Sequence, residues 1–339
     1  MTRLGINGFG RIGRCVFRAL AERNDPDLSI VAINELAPPE SVAYLTRYDS
    51  THGRFDGEVS VSDGLLQVNG ESIRLTHSAN IDSLAWGDVG VDILIESTGS
   101  FSDRATAQKH LDVGAKSVIF SQPAEFDVDA TVVYGVNHIG LNDQHKIISA
   151  ASCTTNCVVP PLQALDQAYG IESVMIRTLH AAMNDQPVID AYHQSDMRRN
   201  RAAFESIIPV ETELAKGIGR ILPHLESKIQ ASALRMPISD VSAMDIGVVL
   251  ARDTDIDSVK ALIKNVSETE FSGVLTYTNE PLVSCDFVHD SSSGVVDLQQ
   301  LRMSGARHLK LLVWFDNEWG YANRILDIAG HWAKQMGKD

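Results

Sequence analysis

The sequence predicts an α/β protein of two domains, a doubly wound parallel sheet followed by an α+β domain with a mixed or antiparallel sheet. Three observations carry this expectation. Up to residue 150, short apolar runs alternate with helically spaced ones. Beyond it the strand-like runs lengthen and partly alternate. The chain of 339 residues is also about twice the common domain size.

In the first half, Arg3–Asn7 reads as a short apolar strand, and Arg11–Arg23 sets Ile12, Val16, Phe17 and Leu20 at helical spacing. Ser29–Asn34 is an apolar run of the kind a parallel sheet buries on both faces. Asn69-Gly70, between LLQV and ESIRL, predicts a two-residue hairpin. VDILIES, KSVIFS, ATVVYGV and KIISAAS follow as further short strands, and their alternation with helices implies βαβ units. In the second half, SVMIRTLHA, IQASALRM, SAMDIGVVLAR and HLKLLVWF read as longer strands, with helices over Asp255–Glu270 and Glu318–Gln335. From His180 to Pro209 there is little periodicity, and loops of that length usually carry function.

Composition narrows the function before any motif does. Hydrophobic residues at 44% and charged ones at 22% are those of a globular chain, and a net charge of −15 disfavours nucleic acid or an anionic membrane as partner. A local arginine cluster can still receive an anion. Arg198, Arg199 and Arg201 stand together in the long loop, and Arg235 interrupts an apolar strand. Taken singly, each reads as a solvated face or a structural ion pair, and three in one loop shift the reading toward an anion site. No apolar run nears the roughly 18 residues of a membrane span, and MTRLGING lacks the apolar core of a secretory signal, so a cytoplasmic protein is expected. Of the four cysteines, Cys15 and Cys285 read as core residues, and no metal is expected because no second Cys or His pair stands at zinc spacing.

Gly8-Phe9-Gly10-Arg11-Ile12-Gly13 is a G-x-G-x-x-G that follows a strand and opens a helix, with Glu35 ending the next strand. The glycines permit a tight turn and close approach of backbone to a pyrophosphate at the helix N-terminus. Glu35 suits the adenosine ribose hydroxyls, and its charge would repel the extra phosphate of NADP. The expected domain is therefore of Rossmann type with NAD as cofactor.

Lys146–Ser152 reads as a strand and Cys153–Leu165 as a helix that begins at once. A cysteine at a helix N-terminus has its thiolate favoured by the dipole and by free N–H groups, which could also stabilise an oxyanion. By residue type and position alone, Cys153 is either a nucleophile or a buried structural cysteine, while Cys157 reads as structural. His180, at a strand end, either faces a site as acid or base or is a satisfied structural histidine.

INGFGRIGR, the segment Ser149–Cys157 (SAASCTTNC) and Trp314–Arg324 (WFDNEWGYANR) resemble the glyceraldehyde-3-phosphate dehydrogenases over essentially the whole chain. AINEL, DATVVYGVN, DQPVIDAYH, SIIPVET and His180–Gln186 resemble the branch of that family that oxidises D-erythrose 4-phosphate. The resemblance implies Cys153 as nucleophile and His180 as its activator. It implies Ser152, Thr154, Arg199, Thr212, Glu213 and Arg235 around the substrate, and Gly8, Gly10, Arg11, Ile12, Gly13, Glu35, Ser121 and Asn317 around NAD. It further implies a homotetramer and domains over 1–152 and 153–316, with 317–339 returning to the first.

Three positions depart from the glycolytic pattern. Met183 replaces a threonine that helps hold the substrate phosphate. Glu213 replaces a glycine beside the attacking-phosphate site. Ala79 takes the place of an arginine near the adenine end. The resemblance thus implies oxidation of a small phosphorylated aldehyde, erythrose 4-phosphate, to 4-phosphoerythronate by hydrolysis, on the route to pyridoxal phosphate. The alternatives are a phosphorylating glyceraldehyde-3-phosphate dehydrogenase and, from another class, a non-catalytic NAD sensor.

Overall fold

The computed structural model describes residues 1–192 and 196–337. The chain divides into two compact units, Met1–Ser152 with Ala322–Asp339, and Cys153–Tyr321.

The first unit is built on a nine-stranded sheet in the order Ala130–Thr131, Ile147–Ser149, Ser117–Phe120, Ile93–Glu96, Thr2–Asn7, Leu28–Asn34, Glu71–Thr76, Leu65–Val68, Val59–Ser62. The first seven strands are parallel and the last two turn back as an antiparallel meander. Their apolar runs are continuous because both faces are covered. Leu4, Ile6, Ile93, Ile95, Val118 and Ile119 are fully buried, each contributing about 1.5–3 kcal/mol. The expected hairpin forms, with Asn69 and Gly70 both at positive φ as a two-residue turn of that hand demands. The helix Arg11–Arg23 buries Cys15, Val16, Phe17 and Leu20 and stops at the left-handed Asn24.

The second unit carries an eight-stranded mixed sheet with the path Ile208–Val210, Ile229–Arg235, Ile171–His180, Ser242–Leu250, His308–Phe315, Gly294–Asp297, Leu275–Thr278, and with Arg302–Ser304 paired to His308–Phe315 off that path. Two pairs are parallel, Ile171–His180 with Ile229–Arg235 and Leu275–Thr278 with Gly294–Asp297. Ile171–His180 alternates, so Val174, Ile176, Thr178 and His180 share the buried face. The helix Ile256–Glu268 starts at Asp255, whose carboxylate accepts from Ser258 N at 2.8 Å. Among the described residues no helix is long and apolar enough to cross a membrane.

Several expectations need correction. ATVVYGV keeps only Ala130–Thr131 as strand. Asn137 Oδ1 takes Val133 N at 2.8 Å and Gly135 sits at φ +88, which makes the rest a turn. Lys146–Ser152 shortens to Ile147–Ser149, since Ala151 adopts φ +58 and ends the extended backbone. Cys285 is exposed rather than in the core, because its short turn Ser284–Phe287 sends Phe287 inward instead. The division near the C-terminus falls between Tyr321 and Ala322, not at 316/317. Trp319 stacks on His289 with ring centroids 3.6 Å apart, and a Cβ at Gly320 would lie 2.4 Å from Ser292 O, which ties these residues to the second unit.

Candidate active site

In the first unit a cavity of about 320 Å³ opens where the strand order reverses, at the carboxyl ends of Thr2–Asn7, Leu28–Asn34 and Ile93–Glu96. Asn7, Gly8, Gly10, Asn34, Glu35 and Thr98 line it. Gly8 has φ +89, and a Cβ there would fall 2.5 Å from Thr98 N. A Cβ on Gly13 would lie 2.4 Å from Gly8 O, so Gly13 lets the helix press under the loop. Gly10 faces open space and leaves the helix N-terminus without a side-chain cap. Glu35 Oε2 accepts Phe9 N at 2.8 Å and Oε1 accepts Ala37 N at 3.3 Å, which hold the carboxylate at the loop with lone pairs to spare. This donor set fits a dinucleotide. An anion can approach the backbone at Gly10, and ribose hydroxyls can donate to Glu35. Ala79 also lines the cavity and brings no charge to it.

The second unit begins at Cys153, which follows the turn at Ala151 as the first residue of the helix Cys153–Tyr169. Its sulfur lies 3.8 Å from His180 Nε2. His180 Nδ1 lies 2.8 Å from Ala181 O and 2.9 Å from Arg235 Nη1. These two contacts exclude each other chemically. With Nδ1–H donated to Ala181 O, Nε2 presents a lone pair to the thiol and is a base. With Arg235 donating to Nδ1, Nε2–H faces the sulfur and supports its anion.

Electrostatics set the resting state. Burial pushes the Cys153 thiol up to about 11, against the N–H of Thr154 and the charge of Arg235, which pull it down. Burial, with Arg235 adding to it, pushes His180 down to about 4. At neutral pH the pair is therefore thiol and neutral imidazole. The helix terminus favours the thiolate as expected, through the N–H of Thr154, and burial opposes it. Cys157 is fully buried and its thiol is raised well above the usual range, in keeping with its structural reading.

Arg199 Nη1 lies 2.9 Å from Asp185 Oδ2, and Arg235 Nη2 lies 4.0 Å from the same oxygen. Asp185 thus joins Cys153, His180, Arg235 and Arg199 into one chain of contacts. Asn317 is buried, and its Oδ1 accepts the Ser242 hydroxyl at 2.6 Å. The same Ser242 oxygen accepts Ala181 N at 3.0 Å, next to His180. Sequence reasoning missed Asp185 and Ser242. Asp185 sits in the aperiodic loop and Ser242 in an unremarkable strand, so neither carried a spacing signal.

The other expected residues are placed as follows. Ser152 and Thr154 flank Cys153, both half-buried. Thr212 Oγ1 accepts Leu214 N at 3.2 Å at the start of the helix Leu214–Ile221. Glu213 is exposed and pairs with Lys216 at 2.5 Å, so its carboxylate is not offered to the thiol. Arg198 and Thr212 line a second cavity of about 430 Å³ with Arg177 and Ser232, whose lining includes none of Cys153, His180, Arg199 or Arg235. Arg201 pairs with Asp190 in solvent, so of the three loop arginines only Arg199 joins the thiol cluster. Arg11 is an ion-pair partner of Asp49, which backbone N–H groups of His52 and Thr51 and the guanidinium hold at about 2 although burial opposes them. Arg11, Ile12, Gly13 and Ser121 lie outside the lining of the dinucleotide cavity.

Comparison with protein families gives two matches. The glyceraldehyde 3-phosphate dehydrogenase NAD binding domain matches residues 2–104, and the C-terminal domain of the same family matches residues 152–317. The dinucleotide cavity lies in the first match and the thiol cluster in the second.

Proposed function

The chain belongs to the glyceraldehyde-3-phosphate dehydrogenase family, and on that premise we propose that it oxidises erythrose 4-phosphate to 4-phosphoerythronate by way of a thioester on Cys153. Membership makes it an NAD-dependent oxidoreductase acting on a phosphorylated aldehyde. The substrate, the release by water and the residue roles are our reading.

As the Cys153 sulfur attacks the aldehyde carbon, its proton passes to His180 Nε2, 3.8 Å away, and a thiohemiacetal forms. The backbone N–H groups at the helix N-terminus oppose charge on the carbonyl oxygen. NAD, when bound, supplies the hydride acceptor that turns thiohemiacetal into thioester. Once the thioester has formed, His180 gives the proton it took from the thiol to solvent. Neutral again, it takes a proton from water as that water attacks the thioester and returns it to the departing thiolate, which frees the acid product and restores the thiol. Arg199 and Arg235 receive the substrate phosphate, their guanidinium planes suiting bidentate contact.

Met183 carries the choice of substrate. It brings a half-exposed thioether where the glycolytic branch resembled above has a phosphate-holding hydroxyl, which favours a longer substrate whose phosphate lies elsewhere. Glu213 does not bear on this choice, since its carboxylate is exposed and paired with Lys216, and release by water rests on the resemblance alone. The reading extends to a step toward pyridoxal phosphate and to a cytoplasmic homotetramer. Val188, Ile189, Tyr192, Met197 and Ile207, all exposed on the long loop, support an assembly that covers them.

NADH formation on each aldehyde phosphate, with and without inorganic phosphate, tests the reading. Faster turnover on erythrose 4-phosphate, independent of phosphate, is the expected result. Faster turnover on glyceraldehyde 3-phosphate that requires phosphate would overturn it, and NAD binding without turnover on either would make the protein a sensor.

A further inference from the structure

Beneath the dinucleotide cavity lies a carboxylate that no step above uses. Glu96 ends the strand Ile93–Glu96 at 1% exposure, and His110, in the helix Arg104–Asp112, is fully buried. A buried charge is costly unless its lone pairs are filled. Four donors fill those of Glu96: Asn7 Nδ2 at 2.6 Å, His110 Nε2 at 3.1 Å, Thr98 N at 2.9 Å and the Thr98 hydroxyl.

Chemistry fixes the tautomer of His110. The Trp86 indole can only donate, and its Nε1 lies 3.1 Å from His110 Nδ1. Nδ1 is therefore the acceptor, and the proton sits on Nε2, facing Glu96. The chain continues outward from Asn7, whose Oδ1 accepts Asn34 Nδ2 at 2.7 Å. Asn34 Oδ1 in turn accepts the Thr76 hydroxyl at 2.9 Å and Ser78 N at 3.0 Å. One buried carboxylate thus orients groups across the ends of four adjacent strands, and Asn7, Asn34, Ser78 and Thr98 all line the cavity. Stability alone does not call for such a device, because an apolar pair of similar volume is often as stable.

We propose that Glu96 and His110 are a positioning pair for the cofactor, holding Asn7, Asn34 and Thr98 in the orientation that NAD binding needs while lining no part of the cavity themselves. The inference rests on the family's use of NAD and not on the choice of sugar.

The test uses the full-length protein and NAD alone. Glu96→Gln replaces one acceptor oxygen by a donor, so whichever way the amide turns, donor meets donor. Its NAD Kd by calorimetry is expected to rise about tenfold, while kcat and substrate KM at saturating NAD stay within about twofold. His110→Phe keeps an aromatic ring beside Trp86 and removes the Nε2–H donor to Glu96, and it is expected to raise the NAD Kd about threefold with kcat at saturating NAD within about twofold. An unchanged Kd in folded Glu96→Gln or in folded His110→Phe would overturn the proposal. So would a wild-type nitrogen NMR spectrum with the His110 proton on Nδ1. Should one variant fail to fold, the other and the wild-type spectrum decide.

Discussion

Arg235 and His180 are register partners at the ends of adjacent parallel strands, and a guanidinium nitrogen of the first lies 2.9 Å from Nδ1 of the second. The pairing is a backbone fact before it is a chemical one. The sheet brings a permanent cation to the imidazole nitrogen that faces away from Cys153. Arg235 thereby both lowers the basicity of His180 and competes with Ala181 O for its tautomer.

Cys153→Ser should lose at least about a thousandfold in kcat, because a hydroxyl is a far weaker nucleophile and leaving group. NAD affinity by calorimetry should stay within about twofold. Full oxidation rates in this variant would remove Cys153 from the chemistry.

The neutral state of the pair has a pH signature. Alkylation of Cys153 by iodoacetamide tracks the thiolate, so its rate should keep climbing above pH 9 toward the raised value of about 11. A plateau below pH 7 would mean a resting ion pair instead. His180→Asn should lower kcat by about 10²–10⁴. Stability responds in the acid range. His180 stays neutral in the fold while the unfolded imidazole takes a proton, so stability is lost as pH falls from 6.5 toward 4, by up to about 3 kcal/mol. His180→Asn should lose less over that window in urea titrations.

Asp185→Ala leaves Arg199 and Arg235 without the carboxylate they share. Two like charges then face each other, and stability should fall by about 1–3 kcal/mol. Inorganic phosphate should raise Tm in both proteins, and by more in the variant, where it replaces the lost carboxylate. Equal Tm values without phosphate would show that Asp185 matters to neither arginine.

Met183→Thr restores the hydroxyl of the glycolytic pattern. The ratio of kcat/KM for glyceraldehyde 3-phosphate over erythrose 4-phosphate should rise about tenfold or more, as one hydrogen bond to a charged group allows. An unchanged ratio would move the choice of substrate to other residues.

Gly13→Ala places a methyl group 2.4 Å from Gly8 O, against backbone that has no freedom to retreat. The turn must open, and NAD affinity should fall about tenfold or more. Gly10→Ala meets no protein atom, so any loss there in the same titration reports on the ligand's own approach.

Local pattern made much of this fold readable. The helix Arg11–Arg23 and the Asn69-Gly70 turn were legible because spacing and turn chemistry are decided by near neighbours. ATVVYGV misled because Asn137 captures Val133 N from four residues away and bends a run whose residue types favour a strand. The thiol site was half legible. Cys153 and His180 stand at element ends, whereas Asp185 and Ser242 act through partners supplied by distant segments. The protonation state was not legible at all, since the helix terminus is a local feature and burial is a tertiary one.

The sheets of this chain also bear on how it behaves when crowded. The two large sheets end in short strands of two to four residues. The larger is closed by Ala130–Thr131 and Val59–Ser62, the smaller by Ile208–Val210 and Leu275–Thr278. Pro209, at the middle of one of these, has no N–H to offer an incoming strand. Open-ended stacking of chains through these sheet edges is thereby disfavoured against association through side-chain surfaces, which can saturate at a fixed number of copies.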